Sequence, residues 1–102
     1  MMPVKKKGHK TMNKERRAEI QDVLKTLDNI TAELEDLQSS IENIKDEEQE
    51  YLDNIPENLQ ESDRYHKSEE AIENLESAYD TVEDTIENQM YETRTFLENA
   101  ME

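Results

Sequence analysis

A chain of 102 residues with 32% apolar side chains, one glycine, two prolines and no cysteine has material for one domain made of few, long elements. The missing cysteines exclude a disulfide framework and a thiolate zinc site, and no apolar run reaches the roughly 18 residues of a membrane span. Charge is split: residues 1–17 carry seven basic side chains against Glu15, a net +6, while residues 18–102 carry five basic and 26 acidic ones, a net −21. Such a body repels nucleic acid and anionic membrane and attracts basic protein surfaces.

Residues 1–12 have no hydrophobic period and too little apolar surface to pack, and read as a disordered basic tail. The lysines Lys5, Lys6, Lys7 and Lys10 are also what a nucleic-acid or membrane-surface arm would carry, but a solvated tail explains them without a partner. His9 alone carries no metal signal. Met12-Asn13-Lys14 also has the form of a chain start, which would make the preceding residues an extension.

The acidic body, residues 13–102, begins with a helix over about 13–53. Asn13 is a good N-cap, and Glu15 and Glu19 suit the positive end of the helix dipole. Steps of three and four residues trace a seam through Ile20, Val23, Leu27, Ile30, Leu34, Leu37, Ile41, Ile44, Glu48, Tyr51 and Ile55, with Glu48 the one polar break. Asn54-Ile55-Pro56 stops the helix, because proline lacks the backbone donor and disfavours helix in the residue before it. The connection runs over 54–61, with Ile55 and Leu59 expected to turn inwards and Ser62 or Asp63 to cap the next helix.

The second helix, about 62–100, has its own series: Tyr65, Ser68, Ile72, Leu75, Tyr79, Val82, Ile86, Gln89, Thr93, Phe96 and Ala100. Two seamed helices joined by a short connection predict an all-α, long antiparallel coiled-coil hairpin. Facing residues should sum to 116, which sets Ile44 by Ile72, Leu37 by Tyr79 and Ile20 by Phe96, and leaves Leu27 by Gln89 and Val23 by Thr93. Apolar residues beside the seams widen the stripe, including Ala71, Ala78 and Met101. Leu24, Leu52, Met90 and Leu97 are the expected contacts for a second molecule, in a homodimer that forms a four-helix bundle.

Little in the chain suggests catalysis, and no cofactor is expected. Phosphate-binding loops need glycines, and the only one is Gly8. His66 has Asp63, Glu69 and Glu70 within helical reach, but a di-metal bundle needs two Glu-x-x-His motifs, so a solvated histidine is the simpler reading. The run Asp46-Glu47-Glu48-Gln49-Glu50 lacks the loop and central glycine of a calcium site. Tyr91 lies off the seam as an exposed aromatic.

The densest acidic row lies on the second helix: Glu69, Glu73, Glu76, Asp80, Glu83, Asp84 and Glu87. Most helices mix signs for i,i+4 support, and this one does not. The row is the expected binding surface for a basic protein. An alternative is mimicry of a phosphate backbone, inhibiting a DNA- or RNA-binding protein. The segment Asn54-Ile55-Pro56-Glu57-Asn58-Leu59-Gln60, followed by Glu69-Glu70-Ala71-Ile72-Glu73-Asn74-Leu75-Glu76, resembles small acidic helical proteins of Gram-positive bacteria and their phages. The resemblance covers roughly residues 13–90. It implies a bacterial or phage cytoplasm and assigns no functional residues.

Overall fold

A computed structural model describes residues 12–102. The tail expected over 1–12 falls outside the described residues, Met12 excepted. The described chain is an all-α helical hairpin with no strand among the described residues. Helix α1 spans Lys14–Asp53, α2 spans Asp63–Asp84 and α3 spans Tyr91–Ala100; a π-helical turn over Thr85–Met90 runs α2 directly into α3, and a 3-10 turn over Glu57–Leu59 lies in the connection.

Local chemistry sets each end. The Asn13 side chain accepts from the backbone N–H of Arg16 at 2.8 Å and satisfies one of the free donors of α1. Pro56, at φ −57° and ψ 144°, turns the chain out of the helix, and its carbonyl takes the N–H of Leu59 at 2.8 Å. Ser62 caps α2 by accepting from the N–H of Tyr65 at 3.2 Å. Ile55 is buried at this closed end, whereas Leu59 is 46% exposed. The expectation that both turn inwards is therefore corrected: the 3-10 turn points Leu59 to solvent.

The seam of α1 is not the most apolar one available. Its non-exposed residues are Arg17, Ile20, Leu24, Leu27, Thr31, Leu34, Gln38, Ile41, Lys45, Glu48 and Leu52. They step by three and four, as expected, but only every second position is the expected one. Val23, Ile30, Leu37, Ile44 and Tyr51 give way to Leu24, Thr31, Gln38, Lys45 and Leu52. Moving one column by a residue, about 100°, turns the buried face by roughly half of that. The reason lies at the two ends. Leu24 and Leu52 are buried at 8% and 9% exposure, four heptads apart, and holding both inside sets the rotation of the helix between them. The rotation takes polar groups into the seam. Thr31 returns its hydroxyl to the carbonyl of Leu27 at 3.0 Å. Lys45 pairs with Glu76 at 3.8 Å. The Nε2 of Gln38 is buried without a partner, at a cost of roughly 1–3 kcal/mol.

Glu48, the polar break expected in the first seam, meets Ser68, the first polar break in the second. Ser68 is 4% exposed and donates its hydroxyl to Oε2 of Glu48 at 2.6 Å. Their numbers sum to 116, the expected register, and a short charge-assisted bond fixes it near the closed end.

Towards the open end the register changes. The π turn inserts one residue, so Met90, Leu97 and Met101 turn to the seam while Gln89, Thr93, Phe96 and Ala100 are exposed. Phe96, expected beside Ile20, is 72% exposed. The pairings of Leu27 with Gln89 and Val23 with Thr93 fail too: Met90 and Arg94 take the inner places of Gln89 and Thr93, and Val23 has itself left the seam. Arg17 closes this end, donating from Nε to the carbonyl of Met101 at 3.1 Å and from Nη2 to that of Met12 at 2.9 Å. A cation on the last carbonyls of a helix also complements its dipole.

Candidate interaction surfaces

The rotation of α1 leaves the hairpin with two unlike sides. On one side Val23, Ile30, Leu37, Ile44 and Tyr51 are between 43% and 52% exposed. They recur every seven residues and so form one straight column on the helix. Ala71 and Ala78 of α2 border this column; the register puts them within one residue of the levels of Ile44 and Leu37. A monomer that turns Thr31, Gln38 and Lys45 inwards, half-buried, while leaving this column half open has an uncovered apolar surface, the usual mark of a contact site.

The opposite side is acidic. Tyr79 identifies it, because the negative charges of Glu42 from α1 and of Glu83 and Asp80 from α2 act together on its hydroxyl. Glu69, Glu73, Glu76, Asp80 and Glu83 follow one side of α2 at helical spacing. Asp84 lies further round the helix, and Glu87 falls within the π turn. All seven side chains of this expected row are exposed except Glu83, which is half-buried. Few cations interrupt it: Lys45 reaches Glu76, and Arg94 reaches Asp28 at 3.0 Å and Glu98 at 3.5 Å. Exposed pairs of this kind contribute about 0–1 kcal/mol each.

The expected contacts for a second molecule are placed otherwise. Leu24 and Leu52 are buried inside the hairpin, and Met90, at the end of the π turn, and Leu97, beyond it, are half-buried. All four serve the intramolecular seam. The column one residue before Leu24 and Leu52 takes their place as the open apolar surface. The signal was present in the sequence, where α1 is apolar in three columns at its ends and a two-helix seam needs only two.

Among the described residues, other features hold no comparable site. His66 is exposed, with Glu69 at 3.3 Å and Glu61 at 3.7 Å, and its ring meets that of Tyr65 edge-on at 5.9 Å. No group of three or more His, Asp or Glu side chains among the described residues is placed to hold a metal ion. One cleft of about 140 Å³ lies at the closed end between Ile55, Pro56 and Leu59, and another of about 160 Å³ lies between Leu27, Met90 and Tyr91. Both are smaller than the roughly 300 Å³ at which small-molecule sites begin. No helix among the described residues is long and apolar enough to cross a membrane. Compared with known proteins, the chain matches no family model, no curated protein and no solved structure.

The crowded carboxylates act on one tyrosine. Glu42, then partial burial, then Glu83 and Asp80 hold the Tyr79 hydroxyl above its ordinary value of 10.0. Ionisation would add a negative charge among negative charges, so the folded chain keeps this proton longer than the unfolded one does. The associated stability is present below pH 10 and is lost as pH rises through the raised value. In a phenolate absorbance titration, Tyr79→Phe should remove a late-titrating component, and Glu42→Gln should move that component to lower pH.

Proposed function

We propose that this chain is a non-catalytic interaction protein of the cytoplasm, working as a homodimer, whose acidic side holds a basic protein surface. The observation that supports this reading is the division of the hairpin into an open apolar column and an opposed side of carboxylates with few cations. An apolar column recruits helices, and a carboxylate array recruits basic surfaces by steering and charge complementarity. The resemblance to small acidic helical proteins adds a bacterial or phage setting.

Charge density favours mimicry of nucleic acid as the second reading. The 40 residues of α1 span roughly 60 Å, and a net −21 over residues 18–102 gives about one charge per 3 Å of rod. B-DNA carries one per about 1.7 Å. A single hairpin is therefore about half as dense as DNA, but two side by side reach about one per 1.5 Å.

Reversal of Glu73, Glu76, Asp80 and Glu83 to lysine tests the acidic side. It replaces no seam residue, gives up the Lys45–Glu76 pair of about 0–1 kcal/mol, and should abolish capture of basic proteins, with the wild-type complex dissociating as salt is raised. Capture that survives the reversal would refute the reading. If duplex DNA competes with the chain for its captured protein, the mimic reading holds. A complex indifferent to saturating DNA leaves the adaptor.

A further inference from the structure

We propose that the apolar column of α1 is covered by the same column of a second copy, running antiparallel, with the two-fold axis passing Leu37. This deepens the reading of the chain as an interaction protein by naming what occupies its apolar side.

Three observations carry it. The column is symmetric about Leu37, so reversing one helix over the other sets Val23 on Tyr51, Ile30 on Ile44 and Leu37 on its own copy, and no apolar member is left out. All five are half-exposed to a similar degree along the whole column, so the site is a full-length helix face rather than a local patch. The third is charge. On the side of the column away from the hairpin seam lie Glu19, Thr26, Glu33, Ser40, Glu47 and Asn54, every one exposed. Glutamates alternate there with neutral residues. The antiparallel arrangement about Leu37 sets Glu19 near Asn54, Glu47 near Thr26 and Glu33 near Ser40, a neutral residue opposite each carboxylate. A parallel, in-register arrangement sets each glutamate against its own copy. An antiparallel arrangement slipped by one heptad sets Glu33 against Glu47 and leaves Val23 without a partner. Flanking charges of this kind select orientation and register by penalising the alternatives.

The rest of the hairpin fits. Ala71 and Ala78 beside the column are small enough to let the partner helix come close. The acidic side marked by Glu42, Tyr79 and Glu83 faces away from the contact. The dimer thus shows carboxylates on both outer surfaces, where a basic partner reaches them.

The chain has no cysteine, so single cysteines report the geometry directly in the full chain. A disulfide forms only between Cα atoms about 4.4–6.8 Å apart. On mild oxidation Leu37→Cys should give a covalent dimer in high yield, and Tyr51→Cys alone should stay largely monomeric on denaturing gels. An equimolar mixture of Val23→Cys and Tyr51→Cys should give the mixed dimer. Equal cross-linking of Leu37→Cys and Tyr51→Cys would overturn the antiparallel arrangement. Absence of cross-linking at Leu37, in a variant whose circular dichroism matches the wild type, would overturn the second copy as occupant. No other protein enters the measurement, so its failure is distinct from failure of the acidic side to bind.

Discussion

Leu52→Asp should abolish cooperative thermal unfolding, while Tyr51→Asp, one residue away, should leave a helical chain with a reduced melting temperature. Leu52 is buried beside Ile55 at the closed end, and Tyr51 is 43% exposed. Truncating a buried leucine costs about 2–5 kcal/mol, and aspartate adds a carboxylate with no partner in an apolar site. Domains of this size have total stabilities near the low end of about 5–15 kcal/mol, so the loss consumes most of it. The carboxylate also joins Glu48, Glu50 and Asp53 in a body that is already strongly negative. A heptad reading of the apolar residues alone predicts the reverse order, with Tyr51 in the seam and Leu52 outside it. Melting curves of the two variants therefore decide which column of α1 faces α2.

The second large effect concerns the π turn. Deleting Gln89 should keep the fold and its melting temperature, because it removes the inserted residue and lets α2 continue into α3 as a regular helix. Met90 would then take the position that sums to 116 with Leu27. Deleting Glu76 should unfold the hairpin from its middle, since every residue from Ser77 to the turn would rotate by about 100° out of the seam. Both lost residues are exposed side chains, and Glu76 gives up only its pair with Lys45, so the contrast is chiefly one of register. Helicity at 222 nm and urea midpoints measure it. A Gln89 deletion as damaging as the Glu76 deletion would mean that the π turn does not hold the open end in register.

These results bear on how much of the molecule was legible in its residues. The two helices were legible because nothing between Asn13 and Asp53 breaks a helix and because Pro56 and Ser62 mark the connection. The column Ile20, Leu27, Leu34, Ile41, Glu48 was legible because it lies in the seam under either rotation. The other column was not. Hydrophobicity ranks Ile30 above Thr31, Leu37 above Gln38 and Ile44 above Lys45, and a search for one seam takes the better residue each time. The hairpin takes the worse ones, because Leu24 and Leu52 anchor the rotation at both ends. The better column stays open to another helix. The π turn gave a fainter signal. After Ile86 the regular series turns polar at Gln89 and Thr93, while Met90, Leu97 and Met101 continue it one residue later, which is the pattern a single inserted residue leaves. The acidic row was plain from composition, but its common side with Glu42 became visible only in the joint effect of carboxylates from both helices on Tyr79.

On the proposal above, this hairpin is half of an assembly, with its best apolar column in contact outside the chain. Sedimentation equilibrium of the wild-type chain at tens of micromolar tests it most directly. The expected result is twice the monomer mass, falling to the monomer mass for Ile30→Glu/Ile44→Glu. A wild-type chain that sediments as a monomer while keeping its full helical signal would contradict it.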